Sequence, residues 1–461
     1  MKTLSADPMP QAMYDEMRTA LVGDHAELDV SGAGSLPSAF PVTELATASM
    51  GIAGACLAGL IHGDNRSRAQ PASHVDRRLA SMWFAWSLRP VGWEVPPAMD
   101  PIAGDYEGSD GWIRLHTNAP HHRDAALKVL GCPSDREAVA KAVASRSIDN
   151  LEADVVEQGG CAAAMRSLDA WAAHPQGTAV AAESLIHKTF QHPGNIPAWP
   201  YDAKRPLSGF RVLDLTRVLA GPIAGRFLAA YGAQVLRIDP PDWEEPGVVP
   251  EVTLGKRCAG LDLTQQGDRE TFERLLGEAD IVLHGYRAGA LDGLGYDEEA
   301  RRRINPNLID VSLNAYGWTG PWKDRRGFDS LVQMSSGIAH QGMIWSGKDK
   351  PTPLPVQALD HATGYLMAAA AITGLTGRLL VGSTMTAKLS LARTAHLLVS
   401  HRDTGDITAM PPETPGDLAP AIEQTGWGPA QRLRFPVSIT GSPAHWALPS
   451  GPLRSSPPAW P

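Results

Sequence analysis

Asp360 stands in the stretch Leu354-Pro-Val-Gln-Ala-Leu-Asp-His-Ala-Thr-Gly-Tyr365, at the head of an Ala-rich apolar run that reads as a buried helix. A carboxylate there either caps the helix or is held as a nucleophile against its positive end. A second stretch, Phe40-Pro-Val-Thr-Glu-Leu-Ala-Thr-Ala-Ser-Met-Gly51, aligns on the first without gaps, with Pro41/Pro355, Val42/Val356, Leu45/Leu359 and Ala48/Ala362 identical. This places Ala46 opposite Asp360, so a helix start of this kind packs without the acid. The comparison favours chemistry over packing for Asp360, and an internal repeat over coincidence.

His361 follows directly, but neighbours at a helix start point in different directions, and an exposed or packed histidine is expected there. His121 and His122 precede a predicted helix with no ligand partners nearby in sequence; they read as exposed, and no metal site is expected. Gly221-Pro-Ile-Ala-Gly225 lacks the close glycine pair of a dinucleotide turn. Neither a phosphate-loop lysine motif nor a strained serine elbow occurs.

The elements that must position Asp360 begin after Trp199–Pro206, a Pro-containing stretch that reads as a linker. Strands are predicted at Arg211–Leu215, Gln234–Ile238, Ile281–His284 and Asn307–Leu313, with helices at Pro222–Tyr231 and Arg269–Ala279 between them. This alternation predicts an α/β fold: an open, parallel, Rossmann-like sheet domain with helices on both faces, binding ligands at its strands' carboxyl ends. Before the linker lies a smaller, mainly helical α+β domain, with a strand near Gly111–His116 and helices at His121–Leu130, Arg136–Ala144, Leu151–Glu157 and Ala162–Ala173. The organisation is therefore 1–200, 201–400 and a Pro/Gly-rich segment 401–461 read as irregular structure.

Composition sets outer bounds. The 461 residues are 43% hydrophobic and 20% charged, ordinary for a soluble globular protein with a sizeable core. A formal charge of −9 argues against general nucleic-acid binding but leaves room for a local basic pocket. Cys56, Cys132, Cys161 and Cys258 are far apart, so neither a disulfide framework nor a cysteine zinc site is expected, and a cytoplasmic location is. Met1–Asp7 lacks the apolar core of a signal peptide. The apolar stretches Ile52–Ile61 and Tyr365–Leu375 fall short of a membrane span and read as buried helices, with no membrane association.

Five phrases occur in order: Gly209-Phe-Arg-Val-Leu-Asp-Leu-Thr-Arg-Val-Leu-Ala-Gly-Pro222, Gly255-Lys-Arg-Cys-Ala-Gly-Leu-Asp-Leu263, Gly285-Tyr-Arg-Ala-Gly-Ala-Leu291, Gly317-Trp-Thr-Gly-Pro321 and Gly327-Phe-Asp329. Together they resemble the class III CoA-transferase family, which includes formyl-CoA and carnitine CoA-transferases and is related to the alpha-methylacyl-CoA racemases. The resemblance covers Gly209 to Leu398. Asp110–Pro193 resembles the family's smaller domain, which usually follows the sheet domain and here precedes it. Residues 1–200 then read as a degenerate family copy, joined to the front part of a second.

The resemblance implies a CoA-transferase that moves CoA from an acyl-CoA to a carboxylic acid. The route it implies passes through an aspartyl mixed anhydride and an aspartyl-CoA thioester, with Asp360 as the matching nucleophile. It implies no tightly bound cofactor, coenzyme A entering as substrate, and a homodimer, interlocked in the family's usual order. Lys256 and Arg257 match its Lys-Arg pair and are the expected phosphate ligands; Val218, Leu219, Gly285, Tyr286 and Arg326 complete the expected CoA pocket. Leu219 replaces a glutamine of formyl-CoA transferase, and Asp239-Pro-Pro-Asp stands where that enzyme has an arginine. Its glycine-rich lid is not evident. Phe328 replaces the racemase histidine and cannot carry protons, and Asp329 beside it is expected to support the site. Two other readings stay open: an acyl-CoA racemase or isomerase, and a catalytically silent CoA-binding subunit of a hetero-oligomer.

Overall fold

The computed structural model describes residues 8–21, 27–64, 70–192, 199, 201–287, 289–402 and 408–461; Met1–Asp7 lies outside them. Six parallel strands form the main sheet. Across it they run Lys256–Gly260, Gln234–Asp239, Arg211–Leu215, Ile281–His284, Ile309–Asn314 and Thr384–Ser390. His187–Gln191 adds an antiparallel edge to the last of these. The inner strands are buried on both faces, which is why Val212, Leu213, Leu215, Ile281, Val282 and Leu283 form short continuous apolar runs. Strand order reverses between Arg211–Leu215 and Ile281–His284. In open α/β sheets such a switch point leaves a crevice beyond the carboxyl ends.

Two of these strands, Lys256–Gly260 and Thr384–Ser390, are not among those predicted. The first opens with two cations and reads as a turn until its pairing partner is known. His187–Gln191 also lies before the predicted linker, so the boundary near residue 200 does not separate the sheet from the first segment. One hydrophobic core joins residues from Met13 to Ile439.

Two long helices, Val42–Asp64 and Ala358–Val381, fill that core side by side, and the second also packs on the Ala220–Ala230 helix. At 23 and 24 residues both exceed the length expected for them, but they are core helices: 89% and 78% of their apolar windows are buried. Gly364 is required by the close approach, because a Cβ there would lie 2.3 Å from the Ala220 carbonyl oxygen.

The internal echo extends beyond these helices. Val42–Asp64 lies between the parallel strands Asp29–Ser31 and Ser73–Asp76, with Val437–Ile439 antiparallel on the far side. Ala358–Val381 lies between the parallel strands Ile309–Asn314 and Thr384–Ser390, with His187–Gln191 antiparallel on the far side. Each second strand runs into a side-chain-capped helix: Asp76 accepts the Arg78 and Leu79 amides, and Ser390 accepts that of Arg393. The offset that aligns Ala46 with Asp360 also aligns Asp76 with Ser390. Each unit takes its antiparallel edge from a distant part of the chain.

The smaller unit pairs Gly104–Glu107, Trp112–Leu115 and Ala162–Ala164 in an antiparallel sheet against the helices Pro120–Leu130, Arg136–Ala144 and Ile148–Glu157. Ala162–Ala164 is thus a strand, and only Leu168–Ala173 of the predicted Ala162–Ala173 helix is helical. Alanine's helix propensity yields to a buried ladder position beside Trp112–Leu115. The final segment is more regular than expected. Leu418–Thr425 and Gly428–Leu433 form a hairpin that pairs with Leu88–Pro90, a long-range contact that local composition does not report.

Candidate active site

At the switch point lies a cavity of about 410 Å³, lined by residues from both halves of the chain. Leu215–Val218 and Gly285–Arg287 follow the two strands on either side of the reversal. Asp360 comes from the first turn of the long core helix, and His121 and His122 come from the smaller unit.

Asp360 is 8% exposed and lines this cavity. It is not the N-cap: that position is Gln357, which makes no side-chain cap bond. Asp360's own N–H, one of the helix's unpaired donors, reaches Oδ2 of Asp329 at 2.9 Å. Asp329 also accepts from Nε2 of Gln333 on Oδ1, and Gln333 Oε1 in turn accepts the Leu354 N–H at 2.7 Å. Two buried carboxyl groups are therefore close enough for the charge of one to act on the other. Burial first, and the Asp329 charge second, hold the Asp360 carboxyl well above its ordinary range. Burial lifts Asp329 to about 6, against the opposing pull of the donors on it. No donor reaches the Asp360 carboxylate among the described residues.

Phe328 lines the cavity one residue before Asp329. Its ring stacks on His116 with centroids 3.7 Å apart and meets His122 edge-on at 5.9 Å. His121 is exposed as expected, but His122 is buried and faces the cavity. The expectation of two exposed histidines is therefore corrected. It missed that Pro120 starts the helix, which turns His122 inward in its first turn. His361 is packed against Phe84, with 5.0 Å between centroids, and does not line the cavity.

The phosphate ligands expected from the Lys-Arg pair are not at the cavity. Lys256 is fully buried beneath the Ala220–Ala230 helix, where Nζ donates to Asp214 Oδ2 and the Pro222 carbonyl, each at 2.7 Å. Gly225 makes room for this pair, since a Cβ there would lie 2.7 Å from Asp214 Oδ2. Burial pushes the ammonium pKa down, and the Asp214 charge opposes that. Arg257 lines a separate cleft with Arg205 and Trp460. Leu219 points into the hydrophobic core, whereas its neighbours Val218 and Ala220 line the cavity.

Gly285, Tyr286 and Arg326 do line it. Beside them the cavity wall carries Arg217, Arg287 and Lys323, none with an ion-pair partner among the described residues. Arg217 lies between two aromatic rings, 4.4 Å from the Trp243 centroid and 4.9 Å from that of Tyr286. Arg326 donates to the Gly159 carbonyl at 2.6 Å, tying the cavity wall to the smaller unit. Val218 has φ of 64°, a strained conformation for a β-branched residue. Its N–H is held by Glu245 Oε2 at 2.9 Å, and Glu245 is itself anchored by buried Arg237. Arg237 also pairs with Asp239 at 2.9 Å, so that acid stabilises the strand end rather than meeting a ligand.

Residues 207–427 match the model of CoA-transferase family III. The chain is 37% identical over 188 residues to the probable fatty acyl-CoA transferase Rv3272 of Mycobacterium tuberculosis, covering 38% of this chain and 47% of that protein. It is 28% identical over 313 residues to an acyl-CoA transferase of Gibberella moniliformis, covering 62% of this chain and 54% of that one. The chain thus spans about half the length of the curated relatives it matches. A crystal structure of Rv3272 aligns with a TM-score of 0.38 at 32% identity, over 43% of this chain and 59% of that one.

Proposed function

We propose, from the match of residues 207–427 to the model of CoA-transferase family III, that this chain moves CoA from an acyl-CoA donor to a carboxylic acid through Asp360. The reading is carried by one observation: the buried carboxylate shares its cavity with cations that have no ion-pair partners among the described residues, at the sheet's switch point. CoA brings phosphates for the cations, a thioester for the carboxylate and an adenine for the aromatic wall at Trp243 and Tyr286.

An Asp360 oxygen attacks the thioester carbonyl, the C–S bond breaks, and CoA leaves as thiolate from a mixed anhydride. The thiolate then attacks the Asp360 carbonyl carbon, the anhydride C–O bond breaks, and the donor acid departs. This leaves an aspartyl-CoA thioester. The acceptor carboxylate repeats the sequence in reverse, and Asp360 is regenerated. Attack needs the Asp360 anion. Burial and the Asp329 charge favour the protonated carboxyl, so Asp360 releases its proton to solvent before acylation.

The repeat supports one nucleophile per chain, because the first unit carries Ala46 where the second carries Asp360. Phe328 cannot exchange an alpha proton, which disfavours racemisation through that position. Mixing the protein with acetyl-CoA and a panel of organic acids, followed by mass spectrometry, tests the activity. Transfer produces the acceptor's CoA thioester in step with loss of the donor. Thioester loss with no new CoA ester would argue for hydrolysis, and against this reading.

A further inference from the structure

We propose that His122 binds the carboxylate of the acyl acceptor, donating a hydrogen bond to it within the cavity that holds Asp360. The inference rests on the transferase reading and adds a residue from the smaller unit to it. His122 is 5% exposed, and that exposure is on the cavity. Its Nδ1 is buried and has no hydrogen-bond partner among the described residues. No cavity ligand can reach so buried an atom, so the ring proton is placed on Nε2, the nitrogen that is not buried and makes no hydrogen bond among the described residues.

Charge and orientation agree with that assignment. Burial, with smaller contributions from His121 and Arg326, holds the His122 pKa down at about 3, so the ring is neutral with one N–H to donate. A lysine or arginine here would pair with Asp360 and quench the nucleophile; a neutral donor orients a carboxylate without doing so. Phe328 fixes the ring edge-on, and is itself held face-on by buried His116. The unpartnered cations Arg217 and Arg287 lie with Tyr286 on the side suited to the CoA phosphates. Phe328, which the His122 ring meets, is followed by Asp329, the acceptor of the Asp360 N–H, so His122 stands one ring away from the turn that carries the nucleophile.

The test uses the full chain with acetyl-CoA as donor and succinate as acceptor, comparing wild type, His122→Phe and His122→Gln. His122→Phe is expected to raise KM for succinate about tenfold, the loss of one hydrogen bond to a charged group. KM for acetyl-CoA should stay within about twofold of wild type, and Tm should hold or rise, since phenyl replaces a ring with an unpaired nitrogen. His122→Gln, which keeps a donor, should recover much of the succinate KM. A fall in Tm with both KM values unchanged, or moving together, would overturn the proposal. Wild type unable to transfer CoA at all would instead fail the transferase reading. In that case histidine ¹⁵N spectra of CoA-saturated protein decide: a His122 signal that shifts with succinate supports the site, and one that stays fixed removes it.

Discussion

Asp329 accepts the backbone N–H of Asp360 at 2.9 Å, so one acid caps the helix turn that carries the other. The contact fixes where Asp360 sits and places a second buried carboxyl beside it. Position and proton affinity of the nucleophile are thus set by the same neighbour.

Replacing Asp329 separates the two effects. The substitution Asp329→Asn keeps an oxygen for the Asp360 N–H but removes the charge that raises the Asp360 pKa. In this variant the acid limb of the kcat/KM profile should move to lower pH, with activity gained below the wild-type limb. An unmoved limb would mean that Asp329 acts only as a cap.

Asp360 should also cost stability. Its folded pKa lies above the unfolded value, so the native state holds the proton more tightly and stability falls as pH rises between those two values. Asp360→Asn removes that cost. Its Tm should exceed wild type by about 2 °C at pH 7, and the difference should vanish below about pH 4, where both carboxyls are protonated. Thermal melts across that range check it.

Arg217 and Lys256 should fail in opposite ways. Arg217→Ala removes an unpaired cation from the cavity wall, and should raise KM for acyl-CoA about tenfold with Tm nearly unchanged. Lys256→Ala leaves Asp214 buried without its partner, a loss of about 3 kcal/mol that should appear in chemical denaturation first. Equal binding defects in both variants would restore Lys256 as a phosphate ligand.

Ala46→Asp should not create a second reacting site. Ala46 is fully buried in the core between the long helices and their neighbours, and the change inserts an unpaired carboxyl there. Lower Tm with acylation still confined to Asp360 is the expected result; a second modified aspartate at position 46 would show that the first unit keeps a working pocket.

Periodicity and alternation are enough to read the strands at 211–215, 281–284 and 307–313 (observed at Ile309–Asn314), and the two apolar helices, because each buries a face whose pattern is local. The strand at Lys256–Gly260 was not legible, since its polar start is explained only by Asp214, a residue 42 positions away in sequence. The same gap misplaced Lys256: a lysine in a recognisable motif looks like a ligand until its buried partner is seen. Asp360 stands out in the sequence because Ala46 occupies its place in the first unit, and in the structure it lines the cavity. Arg217 was within reach, lying beside Val218 in the motif after the first strand, but Trp243 and Tyr286 flank it only through folding. His122 required Pro120 to be taken as a helix start, a signal that was present and passed over.

The account turns on covalent chemistry at a single side chain. Protein mixed with acetyl-CoA, quenched with hydroxylamine and digested, should give a hydroxamate on the Asp360 peptide, absent from Asp360→Asn and from protein treated without acyl-CoA. CoA binding that persists while Asp360 stays unmodified, with every acyl donor offered, would contradict it.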